Sequence, residues 1–143
     1  MKKFLLINIL LLSVFCVNVC AKKPVKVQYE IDVNDTTIYD RDSVDIKPQF
    51  AGGDKALIKW LNENISYPIH AQESSIQGKV IIAFVVEKDG LITNIKITQS
   101  VHKLLDKEAL RLIKKMPKWE PAIKDNKIVR CYFILPVSFV LRN

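Results

Sequence analysis

The apolar positions of this chain fall into one unbroken block and several periodic ones. Phe4 to Val19 is apolar or small throughout, interrupted only by Asn8, Ser13 and Asn18, and Lys2 and Lys3 stand ahead of it. Residues 22–47 carry no sustained period, although Val25 to Val33 has room for a short strand. Periodicity sets in after Pro48-Gln49-Phe50-Ala51-Gly52-Gly53-Asp54, where the glycines permit a sharp turn and Asp54 is placed to cap a helix. Leu57, Ile58, Leu61 and Ile65 then recur at helical spacing, opposite Lys55, Lys59 and Glu63. Tyr67-Pro68 ends this helix, because the residue before a proline is pushed out of the helical region. His70 to Ser75 allows a second, short helix.

Gly78 introduces a β-branched run, Lys79 to Val86, that is apolar on both faces and therefore belongs in the middle of a sheet. Asp89-Gly90 is a strong hairpin signal, since both residue types tolerate positive φ. The return strand, Leu91 to Gln99, sets Thr93, Ile95 and Ile97 against Asn94, Lys96 and Thr98, one buried side and one wet side. Leu105 to Met116 is a second helix: Leu105, Ala109, Leu112, Ile113 and Met116 form its stripe, Asp106 and Glu108 suit its first turn, and Lys114 and Lys115 its last. Pro117 stops it. After a turn at Asp125-Asn126-Lys127 the chain ends in a long strand, Ile128 to Leu141, interrupted by Pro136. The expected fold is α+β, a two-layer domain with helices on a three-stranded antiparallel sheet in the order second, first, third. Pro136 agrees with an edge position for the last strand, because an edge tolerates a missing ladder donor.

The N-terminal block changes the domain count. A basic head, an apolar stretch and Ala21 before Lys22 make a secretory signal over residues 1–21. The apolar run of 16 residues is shorter than the ~20 that span a bilayer comfortably, which favours cleavage and a periplasmic product. Anchoring in the inner membrane by residues 4–19 and lipidation at Cys20 are the other fates. Cleavage removes Cys16 and Cys20 and leaves Cys131, inside an apolar run, as a buried small hydrophobe. Residues 22–47 read as an acidic linker or arm, with six acidic residues between Glu30 and Asp45 against Arg41 alone. Residues 48–143 read as the domain, and from Ile46 onward 16 basic residues face 9 acidic ones, so the net charge of +7 belongs to that part.

Catalytic chemistry finds little support. His70 and His102 lie in polar surroundings without a carboxylate partner motif, and no metal-binding, nucleophile-elbow or phosphate-loop pattern occurs. No catalytic residue, metal or cofactor is expected, and the chain does not read as an enzyme. Lys103, Lys107, Arg111, Lys114, Lys115 and Lys118 line the second helix as a solvated face or an attraction for an acidic partner, and export argues against nucleic acid. The long C-terminal strand is the informative feature. An open strand edge is a hazard unless it is blocked or used, and strand addition by a partner's extended segment is one use. The N-terminal arm of the same chain is the other candidate to cover it.

From Pro48 to Leu141 the chain resembles the C-terminal domain of TonB proteins in the form common in Bacteroidetes, a fold shared with TolA-like domains. The resemblance rests on Pro48-Gln49-Phe50 with Gly52, Gly53 and Asp54; Tyr67, Pro68 and Ala71; and Gln77-Gly78-Lys79-Val80. It continues with Phe84-Val85-Val86, Asp89-Gly90, Asp106 with Ala109-Leu110, Met116-Pro117-Lys118-Trp119-Glu120-Pro121 and Leu135-Pro136-Val137-Ser138-Phe139. Ala51 and Ile128 depart from prolines frequent at those places. The resemblance implies a non-enzymatic periplasmic module that grips the TonB box, an extended peptide of outer-membrane receptors, and that works with inner-membrane proton-motive partners. The docking strand it implies runs over Arg130, Cys131, Tyr132, Phe133, Ile134, Leu135, Val137, Ser138 and Phe139. Gly52, Gly53, Tyr67, Pro68, Gly78, Asp89, Gly90, Trp119 and Pro121 are the corresponding structural anchors, Trp119 as a packing anchor for the second helix. Two alternatives accompany it: a homodimer through the same edge, and a short-linker envelope interaction domain that does not transduce energy. Residues 22–47, fully extended, reach only about 90 Å at ~3.5 Å per residue, short for a transducer spacer.

Overall fold

A computed structural model describes residues 27–142; the signal segment, Cys16 and Cys20 lie outside the described residues. In chain order the elements are β1 (Glu30–Ile31), β2 (Ile38–Tyr39), a short 3-10 helix (Arg41–Ser43), β3 (Gln49–Phe50), α1 (Gly53–Asn64), α2 (Ile69–Glu73), β4 (Gly78–Val86), β5 (Ile92–Gln99), α3 (Lys103–Lys115), β6 (Trp119–Glu120), β7 (Ala122–Lys124) and β8 (Lys127–Phe139). The class is α+β. β4 lies between β5 and β8 and is antiparallel to both, the order expected for the three long strands. Val80 to Val86 is almost wholly buried, as its two-sided apolarity requires.

The sheet is larger than three strands. β7 folds back on the start of β8 through a tight turn in which Asp125 and Asn126 both take positive φ, a conformation these residue types tolerate. β1 and β2 run parallel to β8, pairing Glu30 and Ile31 with Lys127 and Ile128, and Ile38 and Tyr39 with Arg130 and Cys131. The reason is visible along residues 30–46. Ile38 and Tyr39 are β-formers, Val44 is buried with Ala122, Val129 and Cys131, and Ile46 bridges Ile123 by backbone hydrogen bonds of 2.9 and 3.0 Å. The last strand is therefore a free edge over only part of its length.

Smaller corrections have equally local causes. Gly52, with φ of 92°, is the N-cap of α1 and Asp54 makes no capping hydrogen bond; a Cβ at Gly52 would also crowd that of Ala56 at 2.9 Å. In the β4–β5 loop only Gly90 has positive φ, at 85°, and an added Cβ there would run into the carbonyl oxygen of Trp119. Trp119 N–H donates to Gly90 O at 2.9 Å, so the glycine also admits a neighbouring chain. α3 starts two residues earlier than its apolar stripe, because His102 caps it: Nδ1 accepts from Leu104 N–H at 3.2 Å.

The helices cover one face of the sheet. Leu57, Ala71, Leu105, Ala109, Leu112 and Ile113 pack on Val80, Ile82, Phe84, Val86 and the odd-numbered side chains of β8 from Phe133 to Phe139.

Candidate functional site

β8 has two flanks with different occupants. Its inner flank pairs with β4 continuously, from Cys131 opposite Val86 to Phe139 opposite Gly78. Because Cys131 is taken by β4 on that side, β2 holds the opposite, outer flank at Arg130 and Cys131. From Tyr132 to Phe139 the outer flank has no strand partner among the described residues. Pro136 fits the β4 ladder opposite Ile81 because its missing N–H belongs to the outer flank. Backbone groups alternate along a strand, so Tyr132 and Ile134 turn their N–H groups outward as well.

Two hollows open onto this stretch. One of about 600 Å³ is lined by Asp40, Arg41, Asp42 and Ser43 of the arm with Tyr132 and Ile134 of β8. The other, of about 200 Å³, lies between Ile58, Leu61 and Ile65 and the Pro136–Ser138 part of β8. Ile58 and Ile134 are 59% and 52% exposed, uncommon values for isoleucine beside a well-packed core. The strand's own residues divide by face. Phe133, Leu135, Val137 and Phe139 are buried toward the helices, while Ile134 and Ser138 are exposed and Tyr132 is half-buried.

At the N-terminal end of the candidate strand, Arg130 is committed to structure. Its guanidinium makes a two-pronged contact with Glu87, at 2.7 and 2.9 Å, and donates to Thr36 O at 2.8 Å. Glu87 also accepts from the Thr93 hydroxyl. The Arg130 hydrogen bonds hold the Glu87 carboxyl below its ordinary value against the opposing effect of burial, and Glu87 in turn raises Arg130. Cys131 is fully buried, and burial, with Asp40 nearby, pushes its thiol up to about 11. A thiol that stays protonated at neutral pH is a packing group rather than a nucleophile.

Of the expected anchors, Trp119 lies in an aromatic cluster. Trp119 meets Phe50, Phe84 and Phe133 edge-on, with ring centroids 5.9, 5.4 and 4.8 Å away. Its indole N–H is buried without a partner, a desolvation cost that the aromatic contacts offset. The Tyr67 hydroxyl donates to Ile76 O at 2.5 Å and its ring meets Phe139, which fixes the far end of β8. Gly52, Asp89 and Gly90 sit in turns, Gly53 opens α1, Gly78 opens β4, and Pro68 precedes α2.

Sequence reasoning missed two ion pairs. Glu87 and Arg130 are 43 positions apart, and only the β4–β8 register brings them together. Glu108 is nearly buried; it holds Arg111 at 2.6 and 2.7 Å and accepts from Ser66 N–H at 2.7 Å, tying α3 to the end of α1. Their helical spacing of three was readable, but burial was not. Among the described residues no cluster of His, Cys, Asp and Glu is placed to hold a metal ion, and no helix is long and apolar enough to cross a membrane.

Residues 63–141 match the family model for the Gram-negative bacterial TonB protein C-terminal domain. Among solved structures, the chain is similar to the Helicobacter pylori TonB C-terminal domain: 23% identity, a TM-score of 0.47, 61% of this chain and 78% of that one covered. It is similar also to the Pseudomonas aeruginosa domain, at 25% identity and a TM-score of 0.45, over 76% of this chain and 100% of that one. The comparison with curated proteins gave no match. With more than half its length matched by that model, the chain belongs to the TonB C-terminal domain family, whose role is in TonB-dependent transport at the cell envelope.

Proposed function

We propose that this chain docks extended peptides of outer-membrane receptors, of the TonB-box kind, by strand addition to the outer flank of β8, and so supports TonB-dependent transport. The observation that carries the reading is the unpaired stretch from Tyr132 to Phe139, flanked by two hollows. Main-chain hydrogen bonds along such an edge supply affinity, and the side chains lodged beside Ile134 and Ile58 supply selectivity. An exported chain working in the periplasm fits this role.

Receptor N-terminal peptides titrated against the protein test it. Ile134→Pro removes an outward donor and leaves the β4 ladder intact, so docking should weaken at least about ten-fold while the melting transition survives. Unchanged affinity would reject edge docking.

A second reading is supported by the arm. With Glu30 already paired to β8, only residues 20–29 would separate a retained anchor over residues 4–19 from the sheet, a reach of about 35 Å at ~3.5 Å per residue. That length favours an envelope interaction module over a spacer-borne energy transducer. Exchanging this chain for the domain of a working transducer, and measuring nutrient uptake, separates the two.

A further inference from the structure

We propose that residues 30–43 are an internal occupant of the docking flank, and that an external peptide pairing the flank from Arg130 onward must displace them. The external half of this inference rests on the docking reading above. β2 is laid on the outer flank as an added strand would be, parallel to β8, with Ile38 opposite Arg130 and Tyr39 opposite Cys131. Immediately afterwards Asp40 to Ser43 turn off the flank and wall the hollow shared with Tyr132 and Ile134. A peptide growing along the unpaired stretch therefore meets the arm end-on.

The arm is held in a way that permits release. Ahead of Tyr39 it buries little apolar surface: Ile31, Val33 and Ile38 are 56%, 81% and 41% exposed. Its fastenings are directed at main-chain carbonyls, Lys88 to those of Asp32 and Asp35, and Arg130 to that of Thr36. The Lys127–Asp32 ion pair, at 3.7 Å, is exposed. Past the 3-10 helix the character changes. Val44 is buried, Asp45 and Ile46 are bonded to Ile123, and Asp45 accepts from Asp125 N–H at 2.7 Å. The chain between Tyr39 and Val44 is thus the hinge about which residues 30–39 can leave while Val44 to Ile46 stay in place.

Release does two things together. It returns the outward N–H and C=O of Arg130 to the flank, and it frees residues 30–43, about 50 Å when extended at ~3.5 Å per residue, from the sheet. By linkage, a peptide that favours the released arm loosens the arm's hold on the flank, and loosening of the arm favours peptide docking.

The native Cys131 makes a reversible test possible. Neighbouring strands are ~4.8 Å apart, within the Cα range of a disulfide, so Tyr39→Cys sets a thiol opposite Cys131. The full chain with Cys16 and Cys20 replaced by Ser carries the change. Oxidation pins the arm; reduction of the same molecule leaves β2 without its tyrosine. The probes are a labelled peptide with the sequence of residues 30–43 and a receptor N-terminal peptide bearing a TonB box. Both should bind the reduced form about ten-fold more tightly than the oxidised one, since apparent affinity scales with the fraction of open flank. With formation of the disulfide verified by mass spectrometry, an arm peptide that binds both forms equally overturns the proposal. A receptor peptide indifferent to the lock overturns displacement and leaves edge docking standing. An arm peptide that responds to the lock, with no receptor peptide bound to either form, upholds the internal occupant and removes the receptor reading instead.

Discussion

Along its inner flank β8 is joined to β4 through nine successive residue pairs, and the side chains beside that seam, Phe84, Phe133, Leu135, Val137 and Phe139, are buried under the helices. Along its outer flank the same strand has two pairs each from β1 and β2 and then open backbone. Carbonyl-directed lysine and arginine contacts replace packing there. The difference teaches how one strand serves both stability and exchange. Burial on one side fixes the strand's position, so the other side can change partners without the fold paying for it.

Damage to the inner seam should therefore cost most. Phe84 is fully buried between Trp119 and Phe133, so Phe84→Ala removes a large side chain from a dense cluster and should destabilise by ~3–5 kcal/mol. Urea denaturation reads this directly. A loss below ~1 kcal/mol would mean that the seam is not the stabilising side, and the contrast between flanks would fail.

Acid should act next, and unequally. Burial tends to raise the Glu108 carboxyl, but Arg111, the Ser66 N–H and Lys115 together carry it below 4.5; Glu87 is lowered chiefly by Arg130. In each case the folded carboxyl binds its proton less readily than the unfolded one. The unfolded chain then holds more protons at acid pH, so stability rises with pH through that window. The contribution is complete above about 4.5 and is lost as pH falls through the lower folded values. Glu108→Gln, in the helix layer, should cost ~1–3 kcal/mol at neutral pH and flatten the acid limb of the melting curve. Glu87→Gln, at the arm's edge, should cost about 1 kcal/mol, the smaller of the two. If the two variants lose equally, the outer pair carries more of the fold than its surroundings indicate.

How much of this was legible in the sequence follows from the range of the interactions involved. The long strands and the two main helices write their periodicity within a few residues, and the double-sided apolarity of Val80 to Val86 already placed β4 centrally. Residues 30–46 do not. Their pairing with β8 uses two-residue strands, main-chain carbonyls and one buried valine, none of which imposes a period on the sequence. The covered start of the docking edge was for the same reason readable only as an alternative. Arg130 shows the limit most clearly. Nothing local distinguishes a docking arginine from one already held by Glu87 and Thr36 across the sheet.

The smallest global effect should come from Tyr39→Ala, and it discriminates best between the flanks. Tyr39 is half-buried against Val44, Ala122, Val129 and Cys131 and is the main apolar fastening of β2. Its loss should cost ~1 kcal/mol or less, because the arm is peripheral and the surrounding cluster keeps its buried members. Locally the change should be larger than any seen in melting. Amide exchange should quicken at Ile38 to Arg41 and at the outward N–H groups of Arg130 and Tyr132, where protection depends on the arm. The amides of Val80 to Val86 should exchange as before, since their bonds run to β5 and to the inner flank of β8. Should exchange at Val80 to Val86 accelerate in step with the arm, the two flanks open as one cooperative unit and the arm cannot leave by itself.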